Sequence, residues 1–458
     1  MDCRPSREFS RGLSSSPKAP MSEFRQPTLV RAIGRWSLAA LTINCIIGSG
    51  VFGLPSVIIS LVGNASPLAW IFAALGTGLV MACFAEVSSR FDTSGGVYLY
   101  TRTAFGRSFG IAIAWIGWLT RLTAAAASAN LFIIYLAEFW SRAKSPVPSL
   151  IILTVLVGIL TTVNYVGVRR GTFQSNLFTA SKLVTLGAFI IFGLVFILFK
   201  HRSFILAAPA GSPRIWLHAI LLLMFAYGGY ETSLMVGGEA KDPRRDYPTA
   251  LLAALLVCAA AYTLTQWVIV SIVPQTAMTD RPMATAAEQM FGPWGAHLVS
   301  IGVLISTYGY LSANTLGFPR ILFAQAEHGD APSFLAAIHP RFRTPHVAIV
   351  TFGVCVWGFS LLGSFQWNVT VSAMARLFYY GSVCAALPVL RGKSTVPEPR
   401  FRLPMGRVFS ALAVATSLLL FPRLDRTSAA VLAVIVVGAA LNSLWAAGRA
   451  GARDRVPT

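Results

Sequence analysis

Three small residues interrupt the first apolar segment of this chain, at Gly48, Ser49 and Gly50, and Pro55 follows shortly after them. Glycine costs about 1 kcal/mol and proline about 3 kcal/mol in a helix interior, so the segment 36–61 is predicted to contain a broken helix. A bilayer offers no water to freed backbone groups, and a break survives there only where it faces protein or a cavity. Membrane transporters place substrate sites at such breaks. The competing interpretation is a close helix crossing built from small residues.

A second interruption occurs in the sixth apolar segment, at Gly228 and Gly229. Segments one and six occupy corresponding positions if the first ten segments form two halves of five. Paired interruptions in corresponding positions of two halves indicate a transport site. Close packing of small residues does not predict this spacing, so the pair of breaks favours transport over packing alone.

Four ionisable residues fall inside apolar segments or beside a break. A lysine near mid-membrane costs roughly 2.5–3.5 kcal/mol on insertion scales, so Lys182 is expected to face the interior and to be functional. Glu231 is expected to anchor its helix, because it lies a full turn past Tyr227, and the alternative is contact with a cationic substrate. Arg121 could face a polar cavity and Arg376 could snorkel or bond a carbonyl, and neither is assigned a function.

The composition is that of a membrane protein. Of the 458 residues, 55% are hydrophobic and 12% are charged, with a mean hydropathy of +0.65, whereas soluble proteins carry about 25% charged residues. About twelve apolar segments are long enough to span roughly 30 Å of hydrocarbon, and the weakest of them is 367–390, which Arg376 interrupts. An all-α membrane protein is predicted, with segments centred near residues 48, 77, 120, 158, 186, 226, 260, 305, 354, 378, 413 and 436.

The net charge of +20 indicates topology and contact with the lipid bilayer, not a nucleic-acid partner. If the N-terminus is cytoplasmic, the inner segments hold 26 Lys and Arg residues and the outer segments 8, as the positive-inside rule requires. Both termini are therefore predicted to be cytoplasmic, with 1–35 a disordered basic tail and 448–458 a second tail. Exposed ion pairs are expected at the inner face from Glu86, Glu239, Lys241 and Asp242.

Motifs for catalysis or metal binding are lacking in the sequence. The six cysteines contain no CxxC pair, and no two histidines stand at ligand spacing. There is no HExxH, no GxxxxGK[ST] and no nucleophile elbow. We expect no enzyme activity, no metal and no cofactor, and also no cleavable signal peptide.

The order and spacing of several motifs resemble the amino acid–polyamine–organocation family of transporters, over nearly the whole chain from about residue 36. The motifs are Ile47-Gly48-Ser49-Gly50-Val51-Phe52, then Phe84-Ala85-Glu86-Val87 with Ser94-Gly95-Gly96-Val97-Tyr98, then Gly238-Glu239-Ala240-Lys241-Asp242-Pro243, and finally Asn314 with Arg320 and Gly329-Asp330-Ala331-Pro332. This resemblance implies the fold of the sodium-coupled leucine transporter, with helices 1 and 6 broken. It implies a ten-helix core at 36–395, made of inverted repeats at about 36–200 and 213–391, and two peripheral helices at 404–447.

The resemblance also implies how an amino acid would bind. Its α-carboxylate would meet amides at a half-helix N-terminus, which suits an anion, and these amides belong to Gly48, Ser49 and Gly50. Its ammonium group would meet freed carbonyls, which belong to Ile47, Phe225, Ala226 and Gly228. Phe225 would cover the substrate from outside. Tyr227 is predicted to bind the substrate as well, and Tyr230, Glu231 and Asn314 are possible pocket or gate residues.

Lys182 resembles the lysine that sodium-independent members of the family place where relatives bind a sodium ion. Its ammonium would then donate to carbonyls of the first helix near the break. A buried lysine that gains and loses its proton could couple transport to a proton gradient. The alternative is a permanently charged brace.

Together these features predict a secondary active transporter of the bacterial inner membrane, which moves an amino acid by alternating access, independent of sodium and coupled to protons. An amino acid exchanger and a polyamine permease are alternatives, and an amino acid sensor that does not transport is a third. No partner subunit is expected, since the outer loop after the third segment lacks a cysteine that would link one. The identity of the amino acid or amine cannot be read from the sequence.

Overall fold

The computed structural model describes residues 33–91, 95–167, 171–200, 211–274, 279–420 and 426–453. Within these ranges the chain is helical, apart from connections and an isolated bridge between Ile33 and Ala240. The predicted all-α class agrees with this. The α-helices are α1 (Arg35–Ile46), α2 (Gly50–Val62), α3 (Ser66–Ser88), α4 (Gly96–Phe105), α5 (Arg107–Leu136), α6 (Pro146–Val166), α7 (Gly171–Phe199), α8 (Pro213–Ala226), α9 (Pro243–Ile272), α10 (Pro282–Phe291), α11 (Pro293–Glu327), α12 (His346–Leu362), α13 (Phe365–Arg391), α14 (Gly406–Leu420) and α15 (Arg426–Arg453).

Seven stretches are long and apolar enough to cross a membrane. One of them, Gly50–Ser88, joins α2 to α3, and the others lie in α5, α6, α7, α9, α11 and α13. Three shorter apolar helices lie in α12, α14 and α15. The chain is therefore a multi-pass membrane protein, for which twelve crossings and a five-plus-five repeat stay predictions.

Burial separates central helices from peripheral ones. Within the apolar stretches of α5 and α13, 78% and 72% of the residues are buried, against 22% and 28% in α6 and α7. α5 and α13 pack against each other at the centre. Residues 124–127 of α5 are four fully buried alanines, whose small side chains permit close approach between helices.

The first apolar segment is broken, as predicted. α1 ends at Ile46 and α2 begins at Gly50, and Ile47 between them has an extended backbone (φ −69°, ψ 95°). Pro55 lies inside α2 and does not end it. The small residues therefore set the position of the break.

The second break follows α8, which ends at Ala226. Gly229 has a φ of +114°, which favours glycine, and a Cβ at this position would lie 2.2 Å from the carbonyl oxygen of Cys45. A 3₁₀ helix, Tyr230–Glu239, then leads towards α9. The backbones of the two breaks are in contact, because a Cβ at Gly50 would also lie 2.7 Å from the Cβ of Ala226.

In the C-terminal third, the observed helices can be compared with the predicted segments and tail. α13 runs without interruption through Arg376, so the weakest predicted segment is one continuous helix. α14 and α15 occupy the range predicted for two peripheral helices, and α15 packs on α5 and continues to Arg453. The predicted tail at 448–458 is therefore helical up to residue 453, and residues 454–458 and 1–32 of the two tails lie outside the described residues.

The expectation of an exposed ion pair at Glu86 is wrong. Its carboxylate is fully buried and accepts two hydrogen bonds from Arg391, at 2.7 and 2.6 Å, and one from the backbone of Leu403 at 2.9 Å. Burial occurs because the chain that follows α13 folds back over the end of α3. Asp242 pairs with Arg400 at 2.8 Å at the surface, where an exposed pair was expected.

Candidate functional site

A cavity of about 100 Å³ lies beside the first break. Its volume exceeds the ~30 Å³ that one water molecule occupies in the liquid. Most of its wall comes from α1, α5, α7 and α11, so it forms where four helices meet. The lining includes Asn44, Cys45, Arg121, Lys182, Asn314 and Phe318.

Lys182 joins α7 to the end of α1. Its Nζ donates to the carbonyl oxygens of Asn44 and Ile47, both at 3.0 Å, and the side chain is buried. Carbonyls at a helix C-terminus lack intrahelical donors and carry partial negative charge. The ammonium group of Lys182 therefore lies beside the first break and makes the contact with first-helix carbonyls that the resemblance implies.

The N-terminus of α2 has unused donors. The first amides of a helix lack the usual intrahelical acceptor. Here the amides of Phe52 and Gly53 donate to the carbonyl of Ser49, at 3.2 and 3.1 Å, so the unused amides are those of Gly50 and Val51. The hydroxyl of Ser49 is buried and bonds to no described residue. These groups could bind an anion without displacing a protein partner.

The carbonyls that were predicted to meet a substrate ammonium group belong to Ile47, Phe225, Ala226 and Gly228. Three of them already accept hydrogen bonds from the protein. Lys182 binds the first, Nη1 of Arg376 donates to Phe225 at 3.1 Å, and the hydroxyl of Tyr262 donates to Ala226 at 3.4 Å. The Phe225 carbonyl also accepts from the backbone amide of Gly228 at 3.2 Å. A carbonyl oxygen has two lone pairs, so the Ile47 and Ala226 carbonyls could each accept a second donor, whereas that of Phe225 is fully used.

Glu231 is the centre of a buried ion pair. Its Oε1 accepts from Nη2 of Arg121 at 2.5 Å, and its Oε2 accepts from the hydroxyl of Tyr380 at 2.8 Å and the backbone amide of Gly229 at 2.9 Å. The carboxylate thus connects the second break to α5 and α13. This arrangement favours the anchor interpretation over contact with a cationic substrate.

Arg376 lies against the second break, although its position in the sequence indicated no function. Its guanidinium lies 5.3 Å from the ring centroid of Phe225, and a Cβ at Gly228 would lie 1.2 Å from Nη1. The bond to the Phe225 carbonyl matches one of the two roles considered for this arginine. A charged residue inside an apolar segment is by itself a reason to expect a functional role. On that ground the sequence could have indicated Arg376 as a site residue.

The remaining predicted site residues, Tyr227, Tyr230 and Asn314, have different surroundings. Tyr227 donates to the backbone of Trp70 at 3.1 Å, and like Ser49, Gly50 and Phe225 it lines neither described cavity, so its place in the pocket wall stays a prediction. The ring of Tyr230 packs against Tyr380 with its hydroxyl unbonded. Asn314 lines the small cavity, and its Oδ1 has no described partner.

A second cavity, of about 520 Å³, adjoins the first. Arg121 and Phe318 line both cavities, and the guanidinium lies 4.8 Å from the ring centroid of Phe318. This pair is therefore the partition between them. The second cavity continues past Arg320 to Arg102 and Asp330.

An ionic cluster forms the far wall of the larger cavity. Arg107 pairs with Asp330 at 2.7 Å, and the hydroxyl of Tyr98 also donates to Asp330. Burial, with Asp330 adding to it, raises the pKa of Tyr98 to about 12. The phenol therefore stays protonated and keeps donating near neutral pH. Among the described residues no group of His, Cys, Asp and Glu could hold a metal ion.

The model of the amino acid permease family matches residues 33–445. The chain belongs to this family. The match spans the helices that carry both breaks, and the resemblance drawn from the motifs is confirmed. The family consists of transporters, so the expectation that the chain is not an enzyme is also correct.

Relatives cover most of the chain. It is 28% identical over 402 residues to the serine/threonine exchanger SteT of Bacillus subtilis, an alignment of 85% of this chain and 90% of the relative. It is 26% identical over 419 residues to the branched-chain amino acid permease BcaP of the same organism, covering 86% and 88%. It is 29% identical over 418 residues to the cationic amino acid transporter 3, mitochondrial, of Arabidopsis thaliana, covering 85% and 67%.

Proposed function

We propose that this protein is a sodium-independent secondary transporter that moves an amino acid by alternating access. The observation that carries the proposal is the ammonium of Lys182, bound to the Asn44 and Ile47 carbonyls at the end of α1. A metal cation at this position would meet the same acceptors, and the lysine leaves no demand for one. The family match and the names of the relatives support an amino acid as substrate.

The two cavities support alternating access. The larger cavity lies near Arg102, Arg107 and Arg320, and the positive-inside rule assigns such an end to the cytoplasm. The partition of Arg121 and Phe318 then separates a cytoplasmic vestibule from the breaks. Substrate would leave the breaks when this partition opens.

Proton coupling through Lys182 is the coupling that we favour. Loss of its proton would remove the charge that holds the Asn44 and Ile47 carbonyls, and the end of α1 would be freed to move. Exchange is the second candidate, because the chain is similar to an exchanger, SteT, over 90% of that protein. In an exchanger the lysine would stay charged as a brace.

Two other candidates have less support. A polyamine is a polycation, and the described ionisable groups at the breaks are three cations, Arg121, Lys182 and Arg376, with Glu231 already paired to one of them. A sensor that does not transport would not need the larger cavity to adjoin the smaller one. Amino acid transport therefore agrees best with both the charges and the cavities.

The test is uptake of a panel of labelled amino acids into proteoliposomes without sodium, with and without an inward proton gradient, with empty liposomes as control. Concentrative uptake that collapses when the gradient is dissipated supports the symporter. Uptake that ignores the gradient and requires internal substrate supports the exchanger. Uptake by the wild type only when sodium is added contradicts the proposal, and Lys182→Ala should then be no worse than wild type.

A further inference from the structure

The groups around the two breaks carry more positive than negative charge. Arg121, Lys182, Arg376 and Glu231 are all buried there. Among the described ion pairs, that of Arg121 and Glu231 is the one within this group. Buried charge without a counter-charge is costly in a low-dielectric interior, so the site is set up to receive an anion.

Arg376 is the cation with unused capacity. One of its N–H groups donates to the carbonyl of Phe225, no carboxylate of the described residues pairs with it, and its Nε is buried without an acceptor. A guanidinium has five N–H donors in a planar fork that fits a carboxylate. The Nε edge lines neither described cavity, so it would meet a carboxylate of a bound molecule once the surrounding helices separate.

A second place for negative charge lies close by, at the N-terminus of α2. The hydroxyl of Ser49 and the amides of Gly50 and Val51 are donors without a described protein partner. A Cβ at Gly50 would lie 3.4 Å from the Phe225 ring, and the Arg376 guanidinium lies over the same ring. Two groups that attract anions thus lie near the same ring, that of Phe225.

The position of Arg376 also disfavours a neutral amino acid. The C-terminal carbonyls of α8 attract a cation, and the protein already provides one at Phe225. A substrate ammonium must share or displace that contact, with nothing in a neutral side chain to offset the guanidinium. Glu231 does not repel a second carboxylate strongly, because Arg121 and Tyr380 already bind it.

We propose that the substrate is an acidic amino acid, whose α-carboxylate binds the N-terminus of α2 and whose side-chain carboxylate pairs with Arg376. This assignment rests on the proposed transport function and names the substrate class of the same site. The three cations and one carboxylate at the breaks sum to +2, and an acidic amino acid, with two carboxylates and one ammonium group, lowers this excess to +1. The fork of Arg376 selects for the second carboxylate.

The first experiment measures competition in wild-type proteoliposomes. Labelled L-glutamate and L-aspartate are the probes, and L-serine, L-leucine, L-lysine and succinate are unlabelled competitors. We expect saturable uptake of an acidic amino acid that the neutral and basic amino acids inhibit weakly. Inhibition by succinate as strong as that by L-glutamate would overturn the amino acid part of the assignment.

The second experiment tests Arg376 with Arg376→Gln and Arg376→Lys. Loss of a charge-assisted hydrogen bond corresponds to about 10-fold or more in affinity, so L-glutamate should bind at least 10-fold more weakly to Arg376→Gln. The same variant should gain uptake of neutral amino acids, because the Phe225 carbonyl loses one of its two donors and can accept an ammonium group in its place. Arg376→Lys keeps the charge without the fork and should be intermediate. Arg400→Gln, which removes an exposed arginine, is the matched control and should leave uptake unchanged.

The outcomes separate the two proposals. Uptake of neutral amino acids by the wild type, with acidic ones ignored, overturns the substrate class and leaves the transport function standing. Absence of uptake for every amino acid by monodisperse wild-type protein overturns the transport function itself. A uniform loss of all substrates in Arg376→Gln, without a change in preference, would make Arg376 a structural residue and overturn its assigned role.

Discussion

At the scale of single residues, Glu231 is, with Glu86, one of the two described acids that have no exposed surface. It is fully buried and binds Arg121, Tyr380 and the backbone of Gly229 through both carboxylate oxygens. A buried pair contributes little net stability, but removal of one partner leaves an uncompensated charge. Glu231 therefore matters to stability chiefly because its removal would leave the buried charge of Arg121 without a partner.

Glu231→Gln should destabilise the protein by about 3–5 kcal/mol, because Arg121 would keep its charge without a partner. Thermal unfolding in detergent, followed by intrinsic fluorescence, measures the effect as a lower Tm. Tyr380→Phe, which removes one hydrogen bond to the same carboxylate, should cost about 1.5–3 kcal/mol. Adding Arg121→Gln to Glu231→Gln should recover part of the loss, and a double variant less stable than Glu231→Gln would contradict the ion-pair explanation.

At the scale of elements, the two broken helices meet with almost no side chain between them. Ala226 at the end of α8 packs on Gly50 at the start of α2, and Gly229 packs on the backbone of Cys45. This contact agrees with the close-packing interpretation, because small residues permit backbones to approach. The same contact brings the ends of α1, α2 and α8 together, where the transport interpretation predicts the substrate site.

Gly50→Ala should separate α2 from α8, because the new Cβ would lie 2.8 Å from the Cα of Ala226. Overpacking of this kind typically costs about 1–3 kcal/mol, and we expect a lower Tm together with slower uptake. Gly158→Ala in α6, where a Cβ meets nothing within 4 Å, is the matched control. Equal behaviour of the two variants would show that the contact between the breaks is not tight.

At the scale of the whole molecule, a partition separates the small cavity beside the first break from the larger cavity. Arg121 and Phe318 form it, and they come from the central helix α5 and from α11. Glu231 holds Arg121 on its other side. The guanidinium of Arg121 therefore contacts both Phe318 of the partition and Glu231 beside the second break.

Phe318→Ala should weaken this partition. A cation–π contact contributes about 0.5–2 kcal/mol, which corresponds to a shift of about 2- to 30-fold in the equilibrium between closed and open forms. We expect substrate accumulation along a gradient to fall while exchange at equilibrium continues, with both rates measured in proteoliposomes. Phe334→Ala, at an exposed site, should change neither, and an equal fall in both rates for Phe318→Ala would indicate misfolding instead of a leak.

Some of this architecture could be predicted from the sequence because its causes are local. Glycine weakens a helix through its own backbone freedom, and both breaks lie where Gly48–Gly50 and Gly228–Gly229 indicated, although Gly76 and Gly78 do not interrupt α3. The partners of Arg121 and Arg376 could not be predicted, because they lie 110 and 151 residues away along the chain. The direction of Tyr227 likewise depends on Trp70 in another helix.

The contact between Gly50 and Ala226 has a consequence for how tightly any substrate binds. A molecule that enters between α2 and α8 must first find them apart, so only the fraction of molecules with separated helices is competent to bind. The apparent dissociation constant is the intrinsic one divided by that fraction. A low measured affinity would then reflect the small population of the separated state. A substrate with a high apparent dissociation constant could still have a low intrinsic one for that state.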